Sequence, residues 1–115
     1  MRRRPVSVIE LAGFRRRVDE LLTQQQRDAL VDLLAYEPTC GDLMPGTGGL
    51  RKVRVSRPGS GKRGGARVIY YFHSDEMPIL LLAIYAKNEK DDLSIGEKRE
   101  FAALVKEIAT QWKRK

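Results

Sequence analysis

The sequence predicts an α+β domain, with helices laid on one face of a small, mainly antiparallel four-stranded sheet in the order β-α-α-β-β-β-α. Three observations carry this reading. The apolar residues recur at helical spacing from Phe14 to Leu34, alternate or run continuously from Val53 to Tyr85, and return to helical spacing after Ser94. A cluster of Pro45, Gly46, Gly48 and Gly49 stands where the period changes, as a loop between the helical and sheet halves should. At 115 residues the chain has the length of one core, so residues 1–115 are read as a single domain.

Val6, Val8 and Ile9 form a short opening strand, entered through Pro5 and placed at or near the sheet edge. Phe14, Val18, Leu21 and Leu22 make the inner stripe of a first helix. Thr23 caps a second helix whose inner face holds Ala29, Leu30, Leu33 and Leu34 and which ends before Pro38, since a proline pushes the residue before it out of helical geometry. Asp42 to Gly49 is read as loop. Val53 and Val55 alternate with Lys52 and Arg54 on one strand, and Arg67 to Phe72 pair with it across a long glycine-rich turn. Ile79 to Tyr85 is apolar at every position, as a strand covered on both faces is. Ser94 and Glu97 form a capping box for the last helix, with Phe101, Leu104, Val105 and Ile108 facing inward.

The net charge of +7 is unevenly spread. Between Leu43 and Ser74 there is no acidic residue, while Arg51, Lys52, Arg54, Arg57, Lys62, Arg63 and Arg67 all lie there. One-signed density of this kind favours a polyanionic partner over a neutral one. No apolar run approaches the roughly 20 residues of a membrane span. The single cysteine, Cys40, cannot form an internal disulfide, so a reducing cytoplasm is the expected compartment and a buried thiol the expected state.

Side chains alternate across a strand, so Lys52 and Arg54 share one face and leave the other to Val53 and Val55. Arg67 on the paired strand can join them. Three cations on one pleated surface either hold an anion, for which phosphate is the obvious chemistry, or splay into water. The segment Gly59 to Gly65 is not a nucleotide-cradling P-loop, because Ser56 stands where its first glycine is needed and Arg63 where a magnesium-binding hydroxyl belongs. It suits close approach to an RNA backbone or is a mobile hairpin tip. His73 is the only histidine, which excludes a histidine pair for acid-base work, and no metal centre or cofactor site is evident. Tyr70, Tyr71 and Tyr85 are read first as core residues of the sheet.

Leu43-Met44-Pro45-Gly46-Thr47-Gly48-Gly49-Leu50-Arg51-Lys52-Val53-Arg54, Gly61-Lys62-Arg63-Gly64-Gly65-Ala66-Arg67-Val68-Ile69-Tyr70-Tyr71 and Tyr85-Ala86-Lys87-Asn88-Glu89-Lys90-Asp91-Asp92-Leu93 resemble the HigB branch of the RelE toxin superfamily. The resemblance implies a RelE-like fold over residues 1–115 and a toxin that enters the ribosomal A site and cuts messenger RNA without metal or cofactor. It implies an antitoxin partner, a small helix-turn-helix protein of the HigA type. By match to the family pattern, Lys52, Arg54, Arg67 and Lys87 fall at basic catalytic positions. Arg51, Arg57, Lys62, Arg63, Tyr85, Asn88 and Lys90 are the expected RNA contacts. The chain departs from RelE itself at Asn88, where RelE has an arginine, and near Ser94, where it has a catalytic tyrosine. Those departures leave the proton donor unassigned among Lys87, Lys90 and Tyr85. The same fold also serves ParE-like toxins that inhibit DNA gyrase and cut nothing, so the activity rests on the site.

Overall fold

The computed structural model describes residues 4–56 and 65–113. In chain order its elements are β1 (Val8–Glu10), α1 (Ala12–Leu21), α2 (Gln24–Tyr36), β2 (Asp42–Leu43), β3 (Leu50–Val55), β4 (Ala66–Tyr71), β5 (Ile79–Ala86) and α3 (Ile95–Lys113). Among the described residues the strands form one mixed sheet in the order β1-β5-β4-β3-β2. β1 runs parallel to β5, and the other pairings are antiparallel. The α+β class stands, but the sheet has five strands where four were expected. The added strand is β2, two residues inside the segment read as loop, and two residues are too few to show a period.

The strand period divides the sheet into two covered faces. Phe14, Val18, Leu30 and Leu34 of α1 and α2 pack on Val68, Tyr70, Leu81 and Ile84. Val105 and Ala109 of α3 pack on the opposite face with Leu50, Ile69, Tyr71, Leu80 and Leu82. The expectation that the helices share one face is therefore corrected. Ile69 and Tyr71, like Leu80 and Leu82, present apolar area on the side away from the helical hairpin, and α3 removes that area from water.

Local signals set the starts of α2 and α3. Thr23 accepts from the Gln26 backbone N–H while the Gln26 side chain accepts from Thr23 N–H, closing a capping box. Ser94 and Glu97 do the same ahead of α3, at 3.1 and 2.9 Å. Helix faces were legible less fully, since Ala29, Leu33 and Leu104 are exposed where an inward orientation was expected. Cys40 is exposed as well, on the segment that enters β2.

That segment is tied down by a buried tyrosine. The Tyr70 hydroxyl donates to Pro38 O at 2.8 Å and accepts from Gly41 N–H at 2.9 Å. A Cβ at Gly41 would lie 2.7 Å from the Tyr70 ring and 3.0 Å from Lys52 O, so only glycine lets the chain pass this close to β3. A second tie joins the first strand to the hairpin: Arg27 of α2 donates to Glu10 of β1 through Nε at 2.9 Å and to Asp19 of α1 at 3.0 Å. Among the described residues, no helix is long and apolar enough to cross a membrane.

Replacing Tyr70 by Phe leaves a buried N–H and a buried carbonyl without their partner, which costs about 1–3 kcal/mol. Urea denaturation should show the unfolding free energy falling by that amount through a lower midpoint, with the m-value unchanged. The Arg27 guanidinium beside Glu10 holds its carboxyl below the usual range. A carboxyl lowered on folding stabilises the fold fully above its unfolded pKa of about 4.3, and that contribution disappears as pH falls through the folded value. Thermal melts from pH 6 down to pH 3 should therefore show a smaller acid loss for Glu10→Gln than for the parent chain.

Candidate functional site

The face of the sheet that carries α3 is apolar at one end and cationic at the other. Leu50, Tyr71 and Leu80 align across β3, β4 and β5 and lie under α3. Two residues along is the row Lys52, Ile69 and Ala83, and two further the row Arg54, Arg67 and Tyr85. Lys52, Arg54 and Arg67 thus share one face, as strand alternation requires. A bulge brings Tyr85 to them. Between Ile69 and Tyr70 the partner on β5 jumps from Ala83 to Leu81, leaving Leu82 as the extra residue. Leu80, Leu82 and Tyr85 then pack on the α3 face, and Leu81 and Ile84 on the other. Unbroken alternation from Leu80 would have turned Tyr85 into the α1–α2 core.

Arg67 is the centre of this row. It is 9% exposed, and its Nη1 has no hydrogen-bond partner among the described residues. A Cβ built on Gly65 would lie 3.3 Å from that Nη1, 3.5 Å from Arg54 Cγ and 3.2 Å from Val55 O. The two arginines thus meet beside a glycine at a position too close-packed for a side chain. Tyr85 is 3% exposed; burial, with Asp92 as the next cause, pushes its hydroxyl up to about 12, so it is an O–H donor at neutral pH. That hydroxyl donates to Asp91 O at 3.4 Å.

Lys52 is not surrounded by cations alone. Its Nζ lies 3.5 Å from Asp92 Oδ1, and the other oxygen of Asp92 is 2.9 Å from Lys98 Nζ in α3. Lys98, the Leu93 N–H and Lys52 hold the Asp92 carboxyl below its usual range. Asp92 and Lys98 could not be assigned to this site from sequence, because only the seat of α3 on the sheet brings them to β3.

The turn after β5 is held rigidly. Glu89 accepts from Ala86 N–H at 2.9 Å and pairs with Arg17 of α1 at 3.0 Å. Lys87 sits in this turn, its N–H donating to Gly65 O at 2.9 Å, so it stands beside the arginine row. Asn88 is exposed next to it. Lys90 lies 5.1 Å from the centroid of the Tyr85 ring but is paired with Glu97 at 2.9 Å, which leaves it less available to an anion. Arg51 is on the other face and is occupied, donating to Thr39 O and Gly41 O at 3.1 and 2.7 Å. It braces the entry to β2 and does not join the cluster. Arg57, Lys62 and Arg63 lie outside the described residues. Among the described residues no three His, Cys, Asp or Glu side chains gather where a metal ion could sit.

A family model described as the RelE toxin of the RelE / RelB toxin-antitoxin system matches residues 41–115. The chain belongs to the RelE toxin family. The match begins at Gly41, the glycine under Tyr70, and takes in β2 to β5 and α3, hence every residue of the cationic row. A cognate antitoxin is accordingly the partner of this RelE-family toxin.

An unpaired buried guanidinium N–H costs about 1–3 kcal/mol. In this toxin Arg67→Met, which keeps the side-chain stem and removes the charge, should leave the melting temperature unchanged or raise it. A fall of several degrees would mean that Arg67 is a structural residue with a partner in the folded chain.

Proposed function

We propose that this RelE-family toxin is an endoribonuclease of the HigB type, which cuts messenger RNA in the ribosomal A site and so stops translation. The reading rests above all on Arg67, a nearly buried guanidinium with an open N–H, flanked by Arg54 and Tyr85 on one row. A guanidinium nitrogen that lacks a partner among the described residues at that depth is suited to an anion that arrives from outside. Residues 1–115 act as one domain in this scheme, in the cytoplasm, and the antitoxin is a small helix-turn-helix protein of the HigA type.

The reaction asks little beyond positioning and charge. The ribose 2′-oxygen attacks the adjacent phosphorus in line, the bond to the 5′-oxygen breaks, and the products are a 2′,3′-cyclic phosphate and a 5′-hydroxyl. Arg54 and Arg67 hold the non-bridging oxygens, where negative charge grows in the phosphorane. Lys52, one row away, faces the attacking ribose; once Asp92 has moved off and the ammonium has given up its own proton to water, the neutral amine receives the 2′-proton. Tyr85 supplies an O–H on the arginine row for the leaving oxygen. Lys87 and Asn88, on the braced turn beside Gly65, contact the flanking backbone, and neither a metal ion nor a cofactor enters the scheme.

Induction of the toxin followed by primer extension on cellular transcripts tests this directly. Cleavage within translated codons is expected, with Arg67→Met and Arg54→Gln each lowering the cut fraction by about 10²-fold or more, the range seen when a charge-stabilising donor is removed. Intact transcripts in growth-arrested cells would overturn the reading, and damaged DNA in the same cells would assign the toxin to gyrase inhibition of the ParE type.

A further inference from the structure

Among the described residues, Asp92 is an acidic side chain in contact with the proposed catalytic cations, and its position is informative. One carboxylate oxygen faces Lys52 at 3.5 Å and the other Lys98 at 2.9 Å, while the first also accepts from the Leu93 N–H at 2.8 Å. Lys52 and Lys98 are both more than two-thirds buried, whereas Asp92 is 42% exposed. The two lysine side chains are therefore largely covered by the protein, and the carboxylate between them is the more exposed partner.

We propose that the place occupied by the Asp92 carboxylate is a second anion subsite, which takes an RNA backbone phosphate, and that Lys98 is the residue completing it. This rests on the reading of Arg54 and Arg67 as the seat of the scissile phosphate. Along β3 the Lys52 row lies about 7 Å from the Arg54 row, a distance that one nucleotide of extended backbone spans. The ribose between two such phosphates carries the attacking 2′-hydroxyl, and Lys52 borders that ribose from the second subsite. Asp92 holds the two lysines in place in the free chain and is exchanged for phosphate when RNA enters. It is a positioning residue, and Lys98 a phosphate ligand. An exposed carboxylate in a partly screened pair is displaced at modest cost, whereas a phosphate connected to the one at Arg67 arrives at high effective concentration.

Anisotropy titration of the full chain with a fluorescein-labelled, fully 2′-O-methylated 12-nucleotide RNA, which binds without being cut, tests the exchange. Asn at position 92 keeps an acceptor for the Leu93 N–H and removes the competing charge. Asp92→Asn should bind about fivefold more tightly at 50 mM KCl, and Lys98→Gln about fivefold more weakly, with Lys98→Arg near the parent. The salt slope of Lys98→Gln should be shallower by about 0.7, the value of one phosphate contact on a single strand. Unchanged or weaker binding by Asp92→Asn, or an unchanged salt slope for Lys98→Gln, overturns the subsite. Arg67→Met separates the two readings: if it binds as the parent does, the site itself is wrong, whereas if it binds weakly and Lys98→Gln does not, only the second subsite is.

Discussion

The pairing of β4 with β5 through the bulge at Leu82 is what the site depends on. One extra residue opposite Ile69 and Tyr70 moves Tyr85 from the helical core to the face that carries Arg54 and Arg67. The same irregularity leaves Leu80 and Leu82 beneath α3, so the strand is apolar toward both layers and still contributes a phenol to the cationic row. Without it, Arg67 would have no hydroxyl beside it, and Tyr85 would have to be accommodated in the core already filled by Phe14, Val18 and Leu34.

A single sheet face thus serves two environments. Where Leu50, Tyr71 and Leu80 line it, α3 excludes water and contributes burial energy. Where Arg54, Arg67 and Tyr85 line it, the loop that follows β5 and the start of α3 bring Lys87, Asp92 and Lys98 to its border. The buried end gives the cationic end a fixed floor, and the ties at Tyr70, Gly41 and Arg17 hold the surrounding segments to it. Preorganisation of this kind is what electrostatic catalysis at a phosphate needs, because the charges then require no rearrangement as the phosphorane forms. The family assignment fixes the toxin role and the antitoxin partner, and the proposal that RNA is the substrate rests on the disposition of cations.

Much of this was legible in the residues themselves. The capping boxes at Thr23 and Ser94, the inner stripe of α1, the doubly apolar β5 and the shared face of Lys52 and Arg54 all depend on neighbours within a few positions, where spacing alone sets direction. Arg67 joined that face because the alternation of two adjacent strands is a local property once they pair. The motif residues of the second half carried the family by resemblance, and the match over residues 41–115 agrees.

What the tertiary structure decided is everything set by contacts distant along the chain. No local pattern marks β2, since two residues held by Tyr70 and β3 show no period, and none marks the bulge that turns Tyr85. Arg51 belongs to the same basic segment as Lys52, yet strand alternation and the carbonyls of Thr39 and Gly41 remove it from the site. Asp92 and Lys98 meet Lys52 only because α3 settles on the sheet opposite the helical hairpin, a choice made by apolar area on Ile69, Tyr71 and Leu80 that sequence spacing could not assign to a layer. Composition and period determine which side chains can share a surface, whereas which surfaces face one another follows from the packing that buries the most apolar area with every strand paired.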